Sequence, residues 1–157
     1  MKSLTIAAVA LMLTAGLAQA QTIRMGTEGA YAPYNFIDDA TGEVTGFEIE
    51  LGNELCKRAE LDCTWVRNDW DSIIPNLVSS NYDTIMAGMN INAERQAVIA
   101  FTQPYTPPTP SAYAALAADV DVEGGIVAAQ TSTIQAGYVA ESGATLIEFP
   151  NPDQAVA

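Results

Sequence analysis

Arg95 is the side chain best placed to grip an anion. It follows a short apolar strand, Met86-Ala87-Gly88-Met89, and a polar loop, Asn90-Ile91-Asn92. It stands on a helical turn that leads to an aromatic-proline exit, Phe101-Thr102-Gln103-Pro104-Tyr105. Loops at strand ends of open α/β sheets are where small ligands are held. A guanidinium there offers a planar fork that suits a carboxylate. The competing reading is a surface arginine in solvent, or one paired locally with Glu94. Glu28 and Tyr31 fall in a second such loop, Glu28-Gly29-Ala30-Tyr31-Ala32-Pro33, where Gly29 and Pro33 break regular structure. The chain has no histidine, the commonest metal ligand and general base. Zinc sites and Ser-His-Asp triads are therefore not expected, and no metal or cofactor is assigned.

The two cysteines bracket one short stretch, Cys56-Lys57-Arg58-Ala59-Glu60-Leu61-Asp62-Cys63. In an oxidising compartment a disulfide is the default reading, tying the end of a helix to the next strand. Closing so small a loop contributes about 2.5 kcal/mol on the chain-entropy picture. Two free thiols are the alternative. The compartment itself is read from the first 20 residues: Lys2, an apolar run from Leu4 to Leu17, then Ala18-Gln19-Ala20. That is the pattern of a secretory signal peptide, with an exported mature chain starting at Gln21. The apolar stretch is short for a membrane span.

Without residues 1–20 the chain keeps five of its six basic and all nineteen acidic residues, a net charge of 5 − 19 = −14. Nucleic acid and anionic membrane are excluded as partners, since both need a positive surface. A cationic or zwitterionic ligand is favoured; the charge also serves solubility.

The elements that must position these groups alternate along the chain. Thr22 to Thr27 and Tyr34 to Ile37 read as extended pieces, and Asp38 to Glu43 as a turn. Phe47, Leu51, Leu55 and Ala59 recur every fourth residue, which predicts a helix burying that stripe. Asp62 to Arg67 is a strand. Asp69 or Asp71 caps a helix carrying Ile73, Ile74, Leu77 and Val78, with Pro75 tolerated only in its first turn. Asn81-Tyr82-Asp83 turns into a strand over Thr84 to Met89. This order is the signature of parallel βαβ units. Pro104, Pro107, Pro108 and Pro110 mark a hinge, and Ser111 to Ala117 is an extended crossover. Then come an acidic loop, a strand over Gly125 to Ala129, a helix over Ile134 to Glu141, a strand over Thr145 to Phe149 and a helix start after Asn151-Pro152-Asp153.

Gly46-Phe47-Glu48-Ile49-Glu50-Leu51, followed by Leu55, Cys56 and Ala59, resembles the signature of family 3 periplasmic solute-binding proteins, the amino-acid receptors of ABC importers. Gly26 to Tyr34, Asp69 to Pro75, Ala93-Glu94-Arg95 and Phe101 to Tyr105 also fall in family order and spacing, from about Ile23 onwards and weakening after Pro107. The Cys-Lys-Arg…Cys loop and the acidic Glu28 are most similar to lysine/arginine/ornithine, histidine and opine receptors.

The resemblance implies an α/β, two-lobed periplasmic-binding-protein-like fold of type II: residues 21–110 as the first lobe, and 111–157 as the hinge crossover and start of a second. It implies that Arg95 grips the ligand's α-carboxylate, with Asn90 and the backbone near Gly88 beside it. Ser132 and Thr133 match the second-lobe residues that close over that carboxylate, and they open a helix whose free N–H groups favour an anion. Tyr31 and Trp70 match a pair that sandwiches the ligand's side chain, flat faces suited to an alkyl stem and a terminal cation. Plain core packing is the other reading of Trp70. Glu28 would select a basic side chain, the alternative being an exposed loop glutamate. The family's acidic residue for the ligand's α-amino group falls beyond Ala157, so the second lobe reads as truncated.

The function so implied is a periplasmic, monomeric, non-catalytic receptor that closes on a polar, basic amino acid or opine and delivers it to a membrane permease. A periplasmic dehydratase of prephenate or arogenate on the same scaffold is one alternative. The ligand-sensing domain of a signalling receptor is another.

Overall fold

The computed structural model describes residues 22–157, so the expected signal peptide lies outside the described residues. β1 (Thr22–Thr27) grows more buried toward its end, where Thr27 is fully enclosed. It is the centre of a three-stranded parallel sheet, between β5 (Asp62–Arg67) and β6 (Thr84–Ile85). β1 and β5 pair along their whole length, from Thr22 opposite Asp62 to Thr27 opposite Arg67. The loops after Thr27, Arg67 and Ile85 thus leave the same edge of the sheet. That edge gathers Glu28, Trp70 and the approach to Arg95, as strand polarity in such sheets requires.

The loop after β1 is itself structured, as an antiparallel meander of β2 (Ala30–Tyr31), β3 (Asn35–Ile37) and β4 (Val44–Thr45). The turn at residues 38–43 forms as expected, with the Asp38 side chain accepting from the Ala40 and Thr41 N–H groups. Only β3 of these strands was legible; the other two are too short for alternation to show.

α1 (Phe47–Arg58) corrects the expected buried stripe. Phe47, Leu55 and Ala59 are exposed, while Glu48, Ile49 and Gly52 are buried. The reason is local. A Cβ on Gly52 would lie 2.6 Å from the Trp65 ring and 2.8 Å from Met25, so glycine lets the helix sit directly on the sheet at that face. Cys56 follows on the same side, bonded to Cys63 and 3.6 Å from the Met25 sulfur. The expected disulfide is therefore present, joining α1 to β5 with its Cα atoms 6.2 Å apart.

In α2 (Trp70–Val78), Asp69 is the N-cap residue as read, but Pro75 lies inside the helix rather than in its first turn. The helix continues past it, with Ser79 N–H donating to the Pro75 carbonyl at 3.0 Å. Ile73 and Tyr82 are almost fully buried and form a core with Ala87, packed by Val66, Ile74, Leu77 and Met89. Tyr82, read as part of a turn, anchors that core, and its hydroxyl donates to the Ile73 carbonyl. Burial pushes its phenol up to about 12. β6 stops at Ile85, not Met89: Met86 N–H still bonds to Gly26, but Gly88 turns the chain at φ +60°.

Residues 111–117, expected as an extended crossover, are exposed and pair with no strand among the described residues. A second parallel sheet then forms from β7 (Ile126–Gln130) and β8 (Thr145–Phe149), linked by α4 (Ile134–Glu141) and followed by α5 (Pro152–Val156). Asn151 caps α5 by accepting from Gln154 N–H at 3.0 Å. Among the described residues no helix is long and apolar enough to cross a membrane.

Candidate functional site

α3 (Ala93–Gln96) is a single helical turn built to present Arg95. Asn92 starts it, its side chain accepting from the Arg95 N–H at 2.8 Å. Arg95 is 9% exposed, so it is neither a solvent-facing arginine nor held by Glu94 in an ion pair. Its Nη1 donates to the Asn90 carbonyl at 2.8 Å and its Nη2 to the Ser132 carbonyl at 3.3 Å. The guanidinium lies 5.4 Å from the centre of the Trp70 ring, a cation–π arrangement. Burial pulls the Arg95 pKa down, and Glu94 nearby pushes the other way.

Ser132 belongs to the turn between β7 and α4. Its φ of +57° is a left-handed conformation that non-glycine residues seldom adopt. Its carbonyl accepts from Arg95 and also from Trp70 Nε1, at 3.1 Å. Thr133 next to it caps α4: its Oγ1 accepts from Ala136 N–H at 3.1 Å and donates to the Gln130 carbonyl at 2.6 Å. One of the helix's free N–H groups is thus already satisfied by Thr133 itself. Arg95, Trp70, Asn90 and Ser132 form one contiguous group.

Tyr31 and Gly88 form a neighbouring group. A Cβ on Gly88 would lie 2.9 Å from the Tyr31 ring, so only glycine allows this approach, and the positive φ adds to the requirement. Tyr31 stacks on Tyr34 at 5.0 Å and is 44% exposed. Its ring is therefore partly open to solvent, whereas Trp70 is engaged by the guanidinium.

Beneath this group lies Glu48, fully buried, a member of the Gly46–Leu51 motif to which the sequence assigns no role. One carboxylate oxygen accepts from Gly88 N–H at 2.6 Å and from the Tyr105 hydroxyl. The other accepts from Asn35 Nδ2 at 2.6 Å, and Asn35 Oδ1 in turn accepts from Gly29 N–H at 2.7 Å. A signal existed: Glu48 is in phase with Gly52 and Cys56, on the side of α1 away from Glu50, Glu54 and Lys57.

Glu28 is buried, 6% exposed, and not a free loop glutamate. Its carboxylate accepts from Gln130 Nε2, a residue 102 positions later that no sequence motif marks. Gln130 also donates to the Pro150 carbonyl at 3.1 Å, and Arg67 Nε donates to the Glu28 carbonyl at 3.3 Å. Burial raises the Glu28 pKa; the Gln130 hydrogen bond and the Arg67 charge oppose this, and Asp69 and Asp153 add to it. Glu28 lines a cavity of about 430 Å³ with Phe36, Asp39, Arg67, Asp69 and Asp153. Ala30 and Phe36 are cross-strand partners on the cavity side, while Tyr31 and Asn35 pair on the other. Asp69, which lines this cavity with Glu28, is followed in sequence by Trp70, the ring beside Arg95. Among the described residues no cluster suited to a metal ion occurs.

The chain is 45% identical over 105 residues to the octopine-binding periplasmic protein of Rhizobium meliloti, covering 67% of this chain and 35% of that protein. It is 42% identical over 102 residues to the lysine/arginine/ornithine-binding periplasmic protein of Escherichia coli, covering 60% and 39%. The chain therefore spans little more than a third of the length of these relatives. A solved periplasmic His/Glu/Gln/Arg/opine family-binding protein from Silicibacter pomeroyi, in complex with lysine, superposes with a TM-score of 0.82 at 69% identity, over 85% of this chain and 61% of that one. The α/β architecture is accordingly that of the periplasmic amino-acid-binding proteins. The sequence model describing bacterial extracellular solute-binding proteins, family 3, matches residues 23–138, and the chain belongs to that family.

Proposed function

We propose that this chain is the ligand-holding part of an extracytoplasmic receptor for an ABC importer, and that its ligand is a basic amino acid or an opine. The observation that carries the reading is the buried Arg95 guanidinium, stacked on Trp70 and satisfied only by two neutral carbonyls. A ligand carboxylate would replace a weak, 3.3 Å contact with a charge-assisted, bidentate one. The Glu28 carboxylate, buried in the loop after β1, would supply the opposite charge. Tyr31 and Trp70 would flank the aliphatic stem, and Gly88, Asn90, Ser132 and Thr133 would surround the carboxylate.

The first lobe, residues 21–110, and the segment 111–157 would move against each other about the proline-rich stretch, releasing the ligand to a permease. The relatives named as binding lysine, arginine, ornithine or octopine support this ligand class. The relatives are binding proteins, in keeping with a non-catalytic role. Calorimetric titration with the twenty amino acids and octopine tests the reading. Saturable, stoichiometric binding of basic ligands, recovered unaltered afterwards, is the expected result. Consumption of the ligand, or binding of none, would overturn it.

A further inference from the structure

Glu48 is a carboxylate with no ion partner among the described residues, wholly enclosed, and bonded to three donors from three different parts of the chain. Gly88 is the turn against which Tyr31 rests and from which the chain runs to Asn90 and Arg95. Asn35 relays the carboxylate to Gly29, the residue after Glu28. Tyr105 stands at the entry to the proline-rich stretch. Burial, then the bond to Glu48, hold its phenol proton well above the usual tyrosine range, so it stays a donor.

We propose that Glu48 is a positioning residue: it fixes the Arg95 loop, the Glu28 loop and the start of the crossover in one register, and ligand affinity depends on that register. This rests on the receptor reading above.

The hydrogen bonds dictate a discriminating test. Glu48→Gln keeps the shape but turns one acceptor into a donor. Placed toward Asn35, the new NH₂ meets the Asn35 NH₂, whose orientation is set because Asn35 Oδ1 is held by Gly29 N–H. Placed the other way, it meets both Gly88 N–H and the Tyr105 hydroxyl. Either orientation strands a buried donor. Asn35→Asp together with Glu48→Gln removes the conflict, since a carboxylate at position 35 accepts from both sides.

In the ligand-free protein, amide exchange at Gly88 and Gly29 should quicken about tenfold or more in Glu48→Gln and slow again in the double variant. Affinity for arginine should fall by about tenfold and recover in step. Unchanged exchange, unchanged affinity, or a double variant no better than the single one would each overturn the proposal. Were the wild type to bind no amino acid, the receptor reading would fall, and the exchange measurement would still decide the role of Glu48. Should Glu48→Gln not fold, Tyr105→Phe replaces it, removing one hydrogen bond from a half-exposed ring. About a threefold loss of affinity at unchanged melting temperature is then expected, and equal affinity would overturn the proposal.

Discussion

On the exposed flank of the first sheet, Arg24 directs its guanidinium at Asp83, at 2.8 and 3.1 Å, and at the carbonyls of Ser80 and Asn81. At the edge where the strands end, Arg95 is buried beside the Trp70 ring, and among the described residues its guanidinium hydrogen-bonds only to carbonyls. The two arginines are pushed in opposite directions: the Asp83 hydrogen bond raises the Arg24 pKa, and burial lowers that of Arg95. Glu28 repeats the second pattern with the sign reversed, its partner being the neutral Gln130 amide. The ion pairs among the described residues sit at the surface, and none includes Arg95 or Glu28. Withdrawing a charge from water without a counter-ion is costly. Two such charges of opposite sign are what the proposed receptor function would call for, and Arg67 is the nearby cation that tempers the burial of Glu28.

Arg95→Ala tests this contrast most severely. Affinity for every amino acid should fall about a hundredfold or more, equivalent to ~3 kcal/mol, by calorimetry. Retained affinity would remove Arg95 from the ligand's reach. Glu28→Gln should come next, weakening arginine and lysine about tenfold while leaving neutral ligands nearly untouched; a uniform loss would deny it selectivity.

A milder effect follows from pH. Glu28 has a raised pKa when free, and a cationic ligand would favour its ionised form and lower that value. Arginine affinity should therefore be full above the raised value and decline as pH falls through it. Titrations at stepped pH, compared with Glu28→Gln, would show whether the decline vanishes with the carboxylate.

Asp83→Asn is the smallest perturbation and should leave ligand affinity unchanged. The Arg24 hydrogen bonds hold the Asp83 carboxyl down to about 2. Its contribution to stability is present above the unfolded-state value and is lost as pH falls through about 2. Melting curves of variant and wild type should differ slightly near neutrality and merge in acid.

Much of this was legible because it is local. Alternation marked β5, the candidate cap Asp69 marked the start of α2, and the loop–arginine pattern marked α3. What escaped depends on contacts distant in sequence or on polar burial. The pairing of Glu28 with Gln130 spans 102 residues and leaves no periodic trace. Glu48 is buried by hydrogen bonds, and hydrophobic spacing reads a glutamate as solvent-facing, so the helix face was misplaced. The apolar run Met86 to Met89 predicts a longer strand than β6, but Gly88 bends the backbone and donates its N–H to Glu48.

The Ser132 carbonyl has both lone pairs occupied, by donors from α2 and α3. If an incoming carboxylate drew Arg95 away, Trp70 would remain attached and the acceptor would not be orphaned. Within the closed arrangement, loading would then swap a single long hydrogen bond, and the movement of residues 111–157 would have only the bond from Trp70 left to break at this carbonyl.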